Sequence, residues 1–140
     1  MRRVLFDINV VLDVLLDRHP HVAPSAAMWA AVEDGRVEGL LAAHAVTTIH
    51  YFVRKEMSPP KAIDTVSAIL RVFAVAAIDL SVIREALQLS CPDFEDAVTA
   101  ASARAAGCEY ILTRDPKGFR GSPVRVLTPE AAVPFFQGSR

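Results

Sequence analysis

The chain has 140 residues, 52% hydrophobic and 22% charged. That balance excludes a largely disordered chain and provides for one real core, so we expect a single domain over residues 1–140. Fifteen Lys and Arg against sixteen Asp and Glu give a formal net charge of −1, which excludes a uniformly basic coat for nucleic acid but not a local basic patch. Two cysteines make neither a disulfide framework nor a zinc site, no apolar run is long enough for a membrane span, and Asp7 interrupts the apolar run that a secretory signal would need. These features lead to the expectation of a soluble cytoplasmic protein.

Val4-Leu5-Phe6 is a short, wholly apolar run that ends in Asp7, the pattern of a strand covered on both faces. Asn9 to Asp17 has helical spacing, with Val11, Leu12, Leu15 and Leu16 on one face and Asp13 and Asp17 on the other. Ser25 is a candidate N-cap for a helix through Met28, Trp29 and Val32 that Gly35 stops. A second strand is expected around Leu40-Leu41, followed by a helix over Val46–Lys55 with cations at its C-terminus. Ser58-Pro59-Pro60 opens a helix to about Val72, with Ile63, Val66, Ile69 and Leu70 inward. Ala74–Ile78 is a weak strand candidate, and Ser81 caps a helix through Leu89.

Cys91-Pro92 breaks the pattern, and a long helix then begins at Asp93 or Phe94 and runs to Ala106, with Gly107 at its C′ position. Tyr110–Thr113 and Val124–Leu127 read as strands, and Pro129-Glu130 starts a last helix that Gly138 ends. Alternating strands and helices imply an α/β domain with a mainly parallel sheet. Such sheets carry their sites at the carboxyl ends of the strands.

Two acids stand at those ends, Asp7 after the first strand and Asp115 after Tyr110–Thr113. Asp93 and Asp96 open the helix that precedes the latter strand, so this topology brings acids from three segments to one edge. Converging carboxylates raise one another's pKa, and a hard divalent cation resolves the conflict. The chemistry implied is metal-assisted attack of water on a phosphodiester. Taken singly, Asp93 also suits an N-cap, Asp96 a first-turn acid and Asp115 a turn in Asp115-Pro116-Lys117-Gly118.

Together these motifs resemble the PIN domain family. Val4-Leu5-Phe6-Asp7-Ile8-Asn9-Val10-Val11-Leu12-Asp13 is similar to its opening, Pro92-Asp93-Phe94-Glu95-Asp96-Ala97 to its third acidic motif, and Gly107 through Asp115 to its last motif, ending Thr-Arg-Asp. The resemblance covers nearly the whole chain. It implies a three-layer α/β/α sandwich around a mainly parallel sheet, and Mg²⁺- or Mn²⁺-dependent cleavage of RNA. Many small members are VapC-like toxins held by a cognate antitoxin, and a homodimer is common. By the same resemblance Asp7, Asp96 and Asp115 match the metal-binding catalytic acids, and Asn9 and Thr113 match supporting polar positions. The family usually carries a Glu in the helix that here runs Val46–Lys55; Thr48 or His50 stands in its place, and no acid occurs between Ala42 and Lys55. Asp93 is a candidate for partial compensation, since it shares a helix face with Asp96. The alternative reading is a PIN-like domain that has weakened or lost catalysis and acts as an RNA- or protein-binding module.

Arg114, Lys117, Arg120 and Arg125 surround Asp115, where they would hold flanking phosphates or form a solvated face. His50 reads as a partly buried helix residue, and His19-Pro20-His21 as a solvated loop. Trp29, Tyr51, Phe52 and Phe73 suit core packing or a subunit interface, and both cysteines read as structural. A phosphoryl-acceptor role for Asp7 lacks the second acid two residues on, where Asn9 stands, and no glycine-rich turn for a dinucleotide follows the first strand.

Overall fold

A computed structural model describes residues 1–136. Five strands form one all-parallel sheet: β1 (Arg3–Phe6), β2 (Glu38–Ala42), β3 (Ala74–Ala76), β4 (Tyr110–Leu112) and β5 (Arg125–Leu127), in the order β3-β2-β1-β4-β5. Seven helices connect or flank them among the described residues: α1 (Ile8–Leu15), α2 (Val22–Glu33), α3 (Ala43–Glu56), α4 (Pro59–Ile69), α5 (Leu80–Ala86), α6 (Phe94–Ala105) and α7 (Pro129–Phe136). A 3₁₀ turn, Pro116–Phe119, follows β4.

The continuous apolar strands are explained by burial of both sheet faces. Val4, Phe6, Tyr110 and Leu112 point into a core shared with α1, α2, α3, α4 and α7. Leu5, Leu40, Ala42 and Ile111 point the other way, onto Ala100 and Ala103 of α6 and onto Phe119. The alternation follows the two-residue period of a strand. A smaller apolar cluster joins α5 to α6 through Val82, Ala86, Ala97, Val98 and Ala101. The result is the three-layer α/β/α arrangement expected. Side chains such as Leu5, Phe6, Leu41 and Ile111 are fully buried, each contributing about 1.5–3 kcal/mol of transfer free energy.

Several helix details differ from the sequence reading. α2 begins at Val22 behind His21, and Ser25 lies buried inside it rather than at its cap. Pro24 is compatible with this start, because a proline in the first turn costs no helical hydrogen bond. Asp79, not Ser81, caps α5, its Oδ1 accepting from the Val82 N–H at 3.0 Å. α4 buries Ala62 and Ile69, with Val66 half-buried, and packs chiefly on α3. That narrow stripe leaves Ile63 and Leu70 exposed, although both were expected inward. Asp13, assigned to the polar face of α1, is fully buried. α6 ends at Ala105, and Gly107 adopts φ 75°, the left-handed conformation of a C′ glycine. The expected end of α7 at Gly138 lies outside the described residues. Among those described, no helix is long and apolar enough to cross a membrane.

Candidate functional site

The chain builds outward from β1 in two directions, to β2 and β3 on one side and to β4 and β5 on the other. Loops leaving β1 and β4 therefore diverge and open a crevice at the carboxyl edge of the sheet. A cavity lies there, lined by Asp7, Asn9, His44, Thr48, Glu95, Asp96, Thr99, Asp115 and Phe119 among others.

Asp7 is buried and fixed from three directions. Its backbone N–H donates to the Leu112 carbonyl at 2.8 Å, Oδ1 accepts from the Ile8 N–H at 2.9 Å, and Oδ2 accepts from the Thr113 hydroxyl at 2.8 Å. The first oxygen caps α1, so Asp7 has a structural task as well as a place on the cavity wall. Asn9 Nδ2 donates to the Thr113 hydroxyl at 3.4 Å, and its Oδ1 accepts from the Arg114 N–H at 3.3 Å. The Asp115 N–H in turn donates to Thr113 Oγ at 3.1 Å. Asn9 and Thr113 thus tie the ends of β1 and β4 together, and with them the bases of Asp7 and Asp115.

Asp96 projects from the first turn of α6 into the same cavity. Burial, then the charges of Asp7, Asp93 and Asp115, push its carboxyl up to about 6. Asp7 is raised too, first by burial and also by Asp115, against the lowering effect of its hydrogen bonds and of nearby His44. Asp93 is exposed and caps α6, its Oδ1 accepting from the Asp96 N–H at 3.1 Å. It lines the neighbouring groove with His44, Ile78, Ile83 and Phe94 rather than the acidic cavity.

The sequence reading missed Gly118. A Cβ there would stand 2.7 Å from Asp96 Oδ2 and 3.1 Å from Asp115 Oδ2. One glycine therefore keeps clear the space that two carboxylates face. Among the described residues, no three His, Cys, Asp or Glu side chains are drawn together as a ready-made metal-ligand cluster. Four mutually repelling carboxylates, Asp7, Glu95, Asp96 and Asp115, spaced around a cavity still suit magnesium or manganese, since magnesium takes one or two carboxylates directly and retains waters. The hard oxygen donors and the glycine-cleared space fit such an ion.

Of the two residues aligned with the family's absent acid, Thr48 lines the cavity and His50 does not. Thr48 donates to the His44 carbonyl at 3.4 Å, one turn back on α3. His44 was assigned no role from sequence, yet its ring fronts the acids, with Nε2 3.4 Å from the Thr99 hydroxyl. Its position at a strand–helix junction was the available signal. The cations fall outside the cavity wall: Lys117 and Arg120 are exposed beside it, while Arg114 pairs with Asp13. Cys108 is buried, and that burial pushes its thiol up to about 11, in keeping with a structural role.

Comparison with known proteins agrees with this architecture. The chain resembles the FitAcB structure from Neisseria gonorrhoeae at 20% identity and a TM-score of 0.70, covering 91% of this chain and 98% of that one. DNA-bound VapBC from Salmonella typhimurium matches at 14% identity and a TM-score of 0.69, over 92% and 99%. VapC20 from Mycobacterium tuberculosis, described as a sarcin-ricin loop cleaving toxin, matches at 14% and 0.61, over 77% and 86%. At these identities the likeness is one of fold. No curated protein sequence matches the chain. The sequence model of the PIN domain, however, matches residues 3–117, from β1 into the turn beyond β4, and so spans every acid placed around the cavity. By that match the chain belongs to the PIN domain family.

Proposed function

We propose that this protein is a Mg²⁺- or Mn²⁺-dependent endoribonuclease acting as the toxin of a toxin–antitoxin pair. The observation that carries the reading is the meeting of Asp7, Asp96 and Asp115, far apart in sequence, on one cavity at the carboxyl edge of the sheet. Asp7, Asp96 and Asp115 would hold the ion, Asn9 and Thr113 would keep two of those carboxylates in place, and Asp93 acts on Asp96 through its charge. Bound there, the ion would supply positive charge toward a phosphodiester and promote its attack by water. Lys117 and Arg120, exposed on the adjoining turn and its edge, would meet flanking phosphates.

The toxin role and the cognate antitoxin belong to this proposal, with support from solved relatives described as VapBC, FitAB and a toxin–antitoxin complex from Klebsiella pneumoniae; the homodimer belongs to it through the family resemblance alone. So do the single-domain organisation over residues 1–140 and the cytoplasmic location.

The test is cleavage of labelled RNA with Mn²⁺ or Mg²⁺ by wild type, Asp7→Asn and Asp96→Asn. Loss of about 100-fold or more in each variant is expected where a metal ligand is removed. Equal cutting by all three would overturn the assignment. Thr48, in the place of the usual acid, specifically favours the second reading, a domain that binds without cutting. Under that reading calorimetry detects no Mn²⁺ uptake by wild type that Asp7→Asn abolishes.

A further inference from the structure

We propose that Asp13 is a positioning residue for the loop that carries Asp115, acting by anchoring the Arg114 side chain. This rests on the nuclease reading for its consequence at the metal, but not for the anchoring itself.

Asp13 is fully buried on α1, between the apolar residues Leu12 and Val14. Its Oδ2 receives Arg114 Nε, while Oδ1 has no hydrogen-bond partner among the described residues. Arg114 is therefore the side chain that compensates this buried charge. Its side chain is 28% exposed and its Nε faces Asp13, where the sequence left Arg114 between holding flanking phosphates and forming a solvated face.

Asn9 and Asp13 stand four residues apart on α1, which places them on one helix face. Asn9 takes the Arg114 main-chain N–H, and Asp13 takes its side chain. One face of α1 thus grips Arg114 at two points. The residues on either side are Thr113, which donates to Asp7, and Asp115, whose N–H is held by Thr113. A buried ion pair contributes little net stability compared with an apolar pair of similar shape. What it adds here is direction: the guanidinium has one counter-charge to reach, and reaching it fixes the course of the chain into Asp115.

The test uses Asp13→Asn, which leaves Arg114 able to turn to solvent, and the apolar pair Asp13→Leu/Arg114→Met, which preserves packing if the first variant folds poorly. Amide hydrogen exchange is measured without metal. The Arg114 and Asp115 amides should exchange faster relative to those of Tyr110–Leu112 in both variants. Mn²⁺ titrated by calorimetry should bind the folded variants about 10- to 100-fold more weakly than wild type. Uniform acceleration of exchange, or none at Arg114 and Asp115, would overturn the proposal, as would unchanged Mn²⁺ affinity. If wild type itself takes up no Mn²⁺, the metal reading fails separately, and the exchange pattern decides the anchoring.

Discussion

Asp96 carries the plainest consequence of crowding acids around one cavity. In the folded chain it keeps its proton up to about 6, against 3.8 for an ordinary aspartate. Between those values the folded state binds more protons than the unfolded state, so stability falls as pH rises through the window. The advantage of the protonated form is gone above about 6, and Asp7 acts in the same direction. The metal-free protein should therefore lose melting temperature from about pH 4 to about pH 6, and Asp96→Asn should flatten that slope. An unchanged slope in the variant would remove Asp96 from the account. At residue scale the sequence displayed Asp7 and Asp115 because acids at strand ends are conspicuous, and Asp96 because it opens the helix that leads into the second of those strands. It concealed Gly118, whose value is the absence of a side chain, and His44, whose neighbours come from distant segments. Asp13 was misread because helical spacing cannot reveal a counter-charge more than one hundred residues later.

The elements were legible where one force dominates. Both faces of β1 and β4 are covered, and their unbroken apolar runs announced it. Cap positions and the inward face of α4 were less legible, because Asp79 takes the α5 cap from Ser81 and α4 buries only Ala62 and Ile69 fully. β2 contains a constraint of another kind at Gly39. A Cβ there would meet Phe73 Cε2 at 2.7 Å and Val32 Cγ2 at 2.8 Å, between side chains that are themselves well packed. Phe73 also stacks edge-on against both Phe6 and Trp29, with centroids 5.1 Å apart in each pair, so it has little freedom to retreat. Gly39→Ala should cost about 1–3 kcal/mol by overpacking. Urea denaturation would show this as a lower midpoint at unchanged slope, and an unaltered midpoint would mean that Phe73 yields easily.

For the whole molecule, the strand order explains why acids from both ends of the sequence share one crevice. Large apolar side chains are exposed on α3 and α4, with Tyr51 57% and Ile63 61% exposed, and Leu70 at the end of α4 is 46% exposed. Large exposed apolar side chains gathered on one pair of helices are where an interface is to be sought. If this surface is the proposed homodimer face, Ile63→Lys with Leu70→Lys should give a monomer by light scattering at unchanged circular dichroism. A variant that remains dimeric would exclude this face.

The central position of β1 has a consequence for synthesis. β1 is hydrogen-bonded on one side to β2, which follows it closely in sequence, and on the other to β4, which is made much later. While the ribosome is still translating the intervening helices, one edge of β1 has no strand beside it, and such an edge is open to mispairing. The crevice is completed only after residue 115 has emerged, so Asp7, Asp96 and Asp115 cannot share one cavity before β4 has joined β1.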